Sequence, residues 1–82
     1  MHFTVEYPDR LPDAMRMSRA EFEQEARMAM AVKLFELGRL SSGQAAQLAG
    51  LDRVSFILSL SRYGVSPIQV SADELEQELH DA

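Results

Sequence analysis

The 82-residue sequence predicts a mainly α-helical chain with an N-terminal β-strand, a long helix, a helix-turn-helix-like pair, a short extended segment and a C-terminal acidic helix. Three observations predict it. The capping-box spacing recurs at Ser18-Arg19-Ala20-Glu21, Ser41-Ser42-Gly43-Gln44 and Ser71-Ala72-Asp73-Glu74, each marking a helix start. Gly38, Gly50 and Gly64 fall where the helical stretches should end. Only His2 to Tyr7 alternates with a period of two.

In that first segment Phe3, Val5 and Tyr7 share one side and His2, Thr4 and Glu6 the other, until Pro8 stops the pattern. This reads as a short, half-buried strand. Such a strand needs a hydrogen-bond partner. Two are available: Pro67-Ile68-Gln69-Val70 of the same chain, or the same strand of a second subunit, the preferred arrangement being a two-fold ribbon.

Residues Asp9 to Met17 read as a turn, with one helical turn starting after Pro12. The long helix then runs from the Ser18 box to Leu37. Its first half is polar apart from Phe22 and Ala26, whereas Met28 to Phe35 is apolar nearly all round. That second half should be buried from more than one side, which points to a homodimer. A short helix carrying Ala45, Leu48 and Ala49 follows, then the turn Ala49-Gly50-Leu51, then a helix capped by Asp52 and running from Arg53 to Tyr63. After the extended Ser66 to Val70, the last helix places Leu75 and Leu79 four apart. Residues 1–65 thus form a body and residues 66–82 an arm.

Charge is unevenly shared. Residues 1–40 carry six bases and seven acids, residues 41–70 carry Arg53 and Arg62 against Asp52, and residues 71–82 carry five acids and no base. The net charge of −5 therefore resides in the last segment, as a solvating tail or an interaction arm. The sequence has no cysteine, and its two histidines, His2 and His80, stand at opposite ends, so neither a disulfide nor a metal site is expected. No cofactor or small-molecule substrate is expected either. No apolar stretch reaches the length of a membrane span and no secretory leader is visible, so a cytoplasmic location is expected.

Ala46, Gly50 and Leu51 supply the turn signature of a helix-turn-helix: a small residue for close crossing, a glycine for the left-handed turn and an aliphatic plug. In such a unit the second helix reads DNA. The candidate DNA-binding residues are Gln44, Gln47, Arg53, Ser55, Ser59 and Arg62. Two arginines are few for phosphate binding. Val54, Phe56, Ile57, Leu58 and Leu60 make the second helix look more like core than reader. Catalysis is not expected: Ser18, Ser41 and Ser71 occupy cap positions, and none has a histidine near it in sequence to act as a base.

Three blocks resemble a known family: Ala29-Met30-Ala31-Val32-Lys33-Leu34-Phe35-Glu36-Leu37-Gly38-Arg39-Leu40-Ser41, Gly43-Gln44-Ala45-Ala46-Gln47-Leu48-Ala49-Gly50-Leu51, and Phe56 with Arg62-Tyr63-Gly64-Val65. Together, over roughly residues 3 to 79, they resemble a small uncharacterised prokaryotic family with a helix-turn-helix-like centre, whose members are suspected antitoxins encoded beside PIN-type nuclease toxins. The resemblance implies an antitoxin or small transcriptional regulator that binds a toxin protein, with operator DNA as a second candidate partner. The partner-binding residues would be Ile68, Val70, Asp73, Glu74, Leu75, Glu76, Glu78 and Leu79, an acidic surface with two leucine anchors. The sequence departs from relatives after the extended stretch, where Val70-Ser71-Ala72 precedes the acids. The alternative is a dimeric protein-interaction adaptor that binds no DNA.

Overall fold

The computed structural model describes residues 1–66. The extended stretch from Pro67 to Val70 and the acidic helix from Ser71 lie outside them. The described chain holds four helices, α1 (Leu11–Ala14), α2 (Arg19–Glu36), α3 (Ser42–Ala49) and α4 (Arg53–Ser59), and a closing 3₁₀ turn, Leu60–Tyr63.

The caps form as the side chains dictate. The Ser18 hydroxyl accepts from the Glu21 amide at 3.1 Å, while Glu21 accepts from the Ser18 amide at 3.1 Å. Ser41 and Gln44 repeat the reciprocal pair at 3.1 and 3.0 Å. Asp52 caps α4, accepting from the Ser55 amide at 3.0 Å. Each pair satisfies amides that a helix start leaves without a partner.

The ends are equally local. Gly50 adopts φ +77°, and the Leu51 and Gly50 amides donate back to the Ala46 and Gln47 carbonyls at 2.9 and 3.1 Å. This is a Schellman closure, in which a left-handed residue lets two orphan carbonyls be met. The same pattern closes α1 on Arg16, whose φ of +57° is a conformation that side chains adopt at a cost. The expected single helix over Arg53 to Tyr63 tightens after Ser59 into the 3₁₀ turn. The first helical turn begins at Leu11, a residue before Pro12.

The core is one cluster. Met28, Ala31, Val32 and Phe35, spaced at three and four residues, put one face of α2 against Ala45, Ala46 and Ala49 of α3 and against Phe56, Leu60 and Val65. The alanines let α3 lie close to α2. Phe35 meets Phe56 edge to face with ring centroids 5.8 Å apart. Among the described residues the second half of α2 is buried on this face only: Met30 and Leu34 are half-buried and Ala29 and Lys33 exposed, contrary to the burial from several sides that the sequence suggests.

The predicted N-terminal β-strand does not form. Residues 1–8 have no regular structure, and among the described residues there is no strand at all. The physical reason is the lack of a mate: every neighbouring element is a helix whose backbone groups already pair internally, so nothing offers a ladder. Side-chain alternation describes only how residues would face if a sheet were present. Of the three apolar residues, Tyr7 alone packs, its ring 4.8 Å from that of Phe22 and its hydroxyl donating to Glu23 at 2.6 Å. Phe3 and Val5 remain 68% and 64% exposed.

Candidate functional site

The α3–α4 corner is the part of the body in which the sequence locates readout. Two side chains of α2 seal its turn. Gln24 donates to the Ala49 carbonyl at 2.9 Å and Arg27 Nε to the Leu48 carbonyl at 2.6 Å. Both meet the carbonyl end of α3, where the helix dipole favours a positive partner. The Arg27 guanidinium then lies over Gly50, so that a Cβ there would stand 3.4 Å from Nη1. Sequence reasoning misses this latch, because Gln24 and Arg27 sit among the polar residues of a helix that looks solvated.

At the other end of the corner, Ser42 is fully buried and accepts from Arg53 Nε at 2.8 Å. A buried hydroxyl needs such a partner, and here the bond ties the start of α4 to the start of α3. Arg62 is also engaged: it stands 3.6 Å from the Glu25 carboxylate, donates to the Tyr63 hydroxyl at 3.2 Å and lies 5.4 Å from the centre of that ring. Tyr63 in turn donates to Glu25 at 2.7 Å, which fixes the 3₁₀ turn against α2. Burial, reinforced by the Glu25 carboxylate, pushes the Tyr63 hydroxyl above its ordinary pKa, and the bond to Tyr63 raises Arg62 further.

The remaining candidates for DNA contact fare as follows. Gln44 is the capping-box residue of α3, its carbonyl oxygen holding the Ser41 amide. Ser55 donates its hydroxyl to Asp52 at 2.6 Å, and Ser59 donates to the Ser55 carbonyl at 2.8 Å. The Ser55 hydroxyl and amide together hold the Asp52 carboxyl below its ordinary range. Gln47 is exposed on α3. The structure brings the six into one region, but five of them serve caps or ties within the fold.

What α4 turns to solvent is apolar. Val54 is 64% and Leu58 73% exposed, four residues apart on one face, with Ile57 half-buried beside them. Single exposed hydrophobes are ordinary, whereas neighbours on one helix face form a patch.

The family model described as "Uncharacterised protein family (UPF0175)" matches residues 1–82. The chain belongs to the UPF0175 family.

One UPF0175 protein of Aeropyrum pernix is 36% identical over 72 residues, covering 88% of this chain and 80% of the relative. A second UPF0175 protein of the same organism is 37% identical over 59 residues, covering 72% and 75%. No solved structure matches. The partner-binding residues expected of this UPF0175 chain, Ile68, Val70, Asp73, Glu74, Leu75, Glu76, Glu78 and Leu79, lie outside the described residues. Among the described residues no three His, Cys, Asp or Glu side chains gather as a metal site would require, and no helix is long and apolar enough to cross a membrane.

Proposed function

We propose that this UPF0175 protein is a non-catalytic binding protein, of the antitoxin or adaptor kind, that grips a partner protein on the outer face of α4. The observation that carries this reading is the exchange of roles on that helix: its apolar Val54 and Leu58 face solvent, while Arg53 is turned onto Ser42 and Arg62 onto Glu25 and Tyr63. A DNA-reading helix shows donors to the groove and cations to the phosphates. A protein-binding helix shows an apolar stripe. The five acids of residues 71–82 add charge suited to a basic partner, such as a nucleic-acid-processing enzyme.

The test mixes the full chain with the product of the adjacent gene and measures the mass of the mixture by light scattering. A stoichiometric complex is expected, and its loss in a Val54→Ser, Leu58→Ser variant that retains the native helical signal. The reading is overturned if that variant binds as the native chain does. Salt-sensitive binding to DNA upstream of its own gene, abolished by Arg53→Ala with Arg62→Ala, would instead make the protein a DNA-binding regulator.

A further inference from the structure

Helix α2 carries two apolar stripes, and the described residues cover only one. Met28, Ala31, Val32 and Phe35 face the core. Phe22, Ala26 and Met30, spaced by four, form a second row that with Leu48 of α3 floors a cleft of about 960 Å³. Its other wall is the N-terminal segment, residues 1–7, which overhangs the cleft without filling it: Tyr7 is packed on Phe22, while Phe3 and Val5 stay exposed. An apolar row left open to solvent beside exposed Phe3 and Val5 is the kind of patch that marks an interaction surface.

We propose that the occupant is a second copy of this chain, docked by reciprocal exchange so that Phe3 and Val5 of each protomer enter the cleft of the other. Plug and socket both belong to one chain, the self-complementarity that a two-fold dimer requires. The charge at the rim fits the same symmetry. Glu23 and Arg27 stand one helical turn apart along α2 and both line the cleft. Each already holds a bond within its chain, Glu23 from Tyr7 and Arg27 to the Leu48 carbonyl, so an antiparallel two-fold relation between the α2 helices would bring their remaining polar atoms together as opposite charges rather than like ones. A nucleic acid would find one cationic side chain, Arg27, in the lining, and a small polar ligand would find no convergent set of buried polar groups. The docking needs side-chain burial alone and no strand ladder. No residue of α4 lines the cleft, so the dimer leaves the partner-binding face open.

Sedimentation equilibrium and disulfide trapping on the full chain test this. The native protein is expected at 18.4 kDa, twice the 9.2 kDa of one chain. The Phe3→Ser, Val5→Ser variant should fall twofold in mass with an unchanged far-ultraviolet dichroism spectrum, because neither side chain belongs to the core. Since the native sequence has no cysteine, a Phe3→Cys chain mixed with a Met30→Cys chain should oxidise to a mixed disulfide joining two chains. A native mass of 9.2 kDa throughout the micromolar range, a doubly substituted variant that stays dimeric, or trapping of the two cysteines only within a single doubly substituted chain would overturn the proposal. So would a monomer whose cleft takes up an apolar dye, which would mark it as a ligand pocket. Loss of partner binding with the dimer intact would sink the α4 reading alone, so the two failures are distinguishable.

Discussion

Phe56 and Phe3 are the same side chain at two extremes: one fully buried at the centre of the α2–α3–α4 core, the other 68% exposed on the N-terminal segment. The comparison teaches that burial here is a matter of neighbours. The corner closes because three helices bring complementary faces together, with alanines at 45, 46 and 49 making room for Phe35 and Phe56. The N-terminal segment has an apolar row as regular as any in the core, yet Phe3 and Val5 stay exposed and Tyr7 is the member that packs, on Phe22 and Glu23. One region completes itself; the other, on the dimer proposal, waits for a second chain.

The sharpest way to break the comparison is to truncate both rings. Phe56→Ala should cost about 3–5 kcal/mol, the transfer and cavity cost of an aromatic core residue, enough to leave a domain this small largely unfolded in mild urea. Phe3→Ala should move the unfolding of the single chain by less than about 0.5 kcal/mol, as surface changes do. Urea titrations at high dilution, where association is negligible, would check both. Equal costs would erase the distinction between the two regions.

A smaller effect tests how the corner is sealed. Gly50→Ala and Gly64→Ala place a side chain at φ +77° and +73°, a backbone cost of about 1–2 kcal/mol each. Only at Gly50 does the new Cβ also meet the Arg27 guanidinium, whereas at Gly64 nothing lies within 4 Å. At 3.4 Å that contact is ordinary, so Gly50→Ala and Gly64→Ala should cost about the same in thermal melts, the left-handed backbone being what both share. A clearly larger loss at Gly50 would show that the Arg27 guanidinium cannot give way there.

The smallest expected effect is pH-dependent. The Asp52 carboxyl is held below its ordinary value of 3.8, first by the Ser55 hydroxyl and then by the Ser55 amide. Because its folded pKa is the lower one, the cap's contribution is fully present above the ordinary value and is lost as pH falls through the folded one. Asp52→Asn keeps a capping oxygen but cannot titrate, so its melting temperature should decline less steeply than the native one on acidification through the carboxylate range. Parallel declines would remove Asp52 from the acid response.

Much of the body was legible because its determinants are local. A hydroxyl at a helix start and a glutamate or glutamine three residues on, as in Ser18 with Glu21 and Ser41 with Gln44, satisfy each other whatever surrounds them. The core face of α2 follows from its 3.6-residue period. The candidate site was less legible. Arg53 and Arg62 read as available cations, and whether they are depends on Ser42, Glu25 and Tyr63, residues 11, 37 and 1 positions away, two of them on other elements. Gln24 and Arg27 gave no signal, since a polar residue on a helix surface looks alike whether or not a carbonyl waits opposite.

Sequence by itself determined where α2, α3 and α4 begin and where α3 closes, since caps and left-handed closures are settled within six residues of chain. Tertiary structure alone decided that residues 2–7 form no strand, that α4 shows its apolar face to solvent, and that among the described residues α2 keeps a second row uncovered. Periodicity records which residues share a face, but a strand needs a ladder and a buried face needs a cover, and both are supplied by whatever lies across the gap.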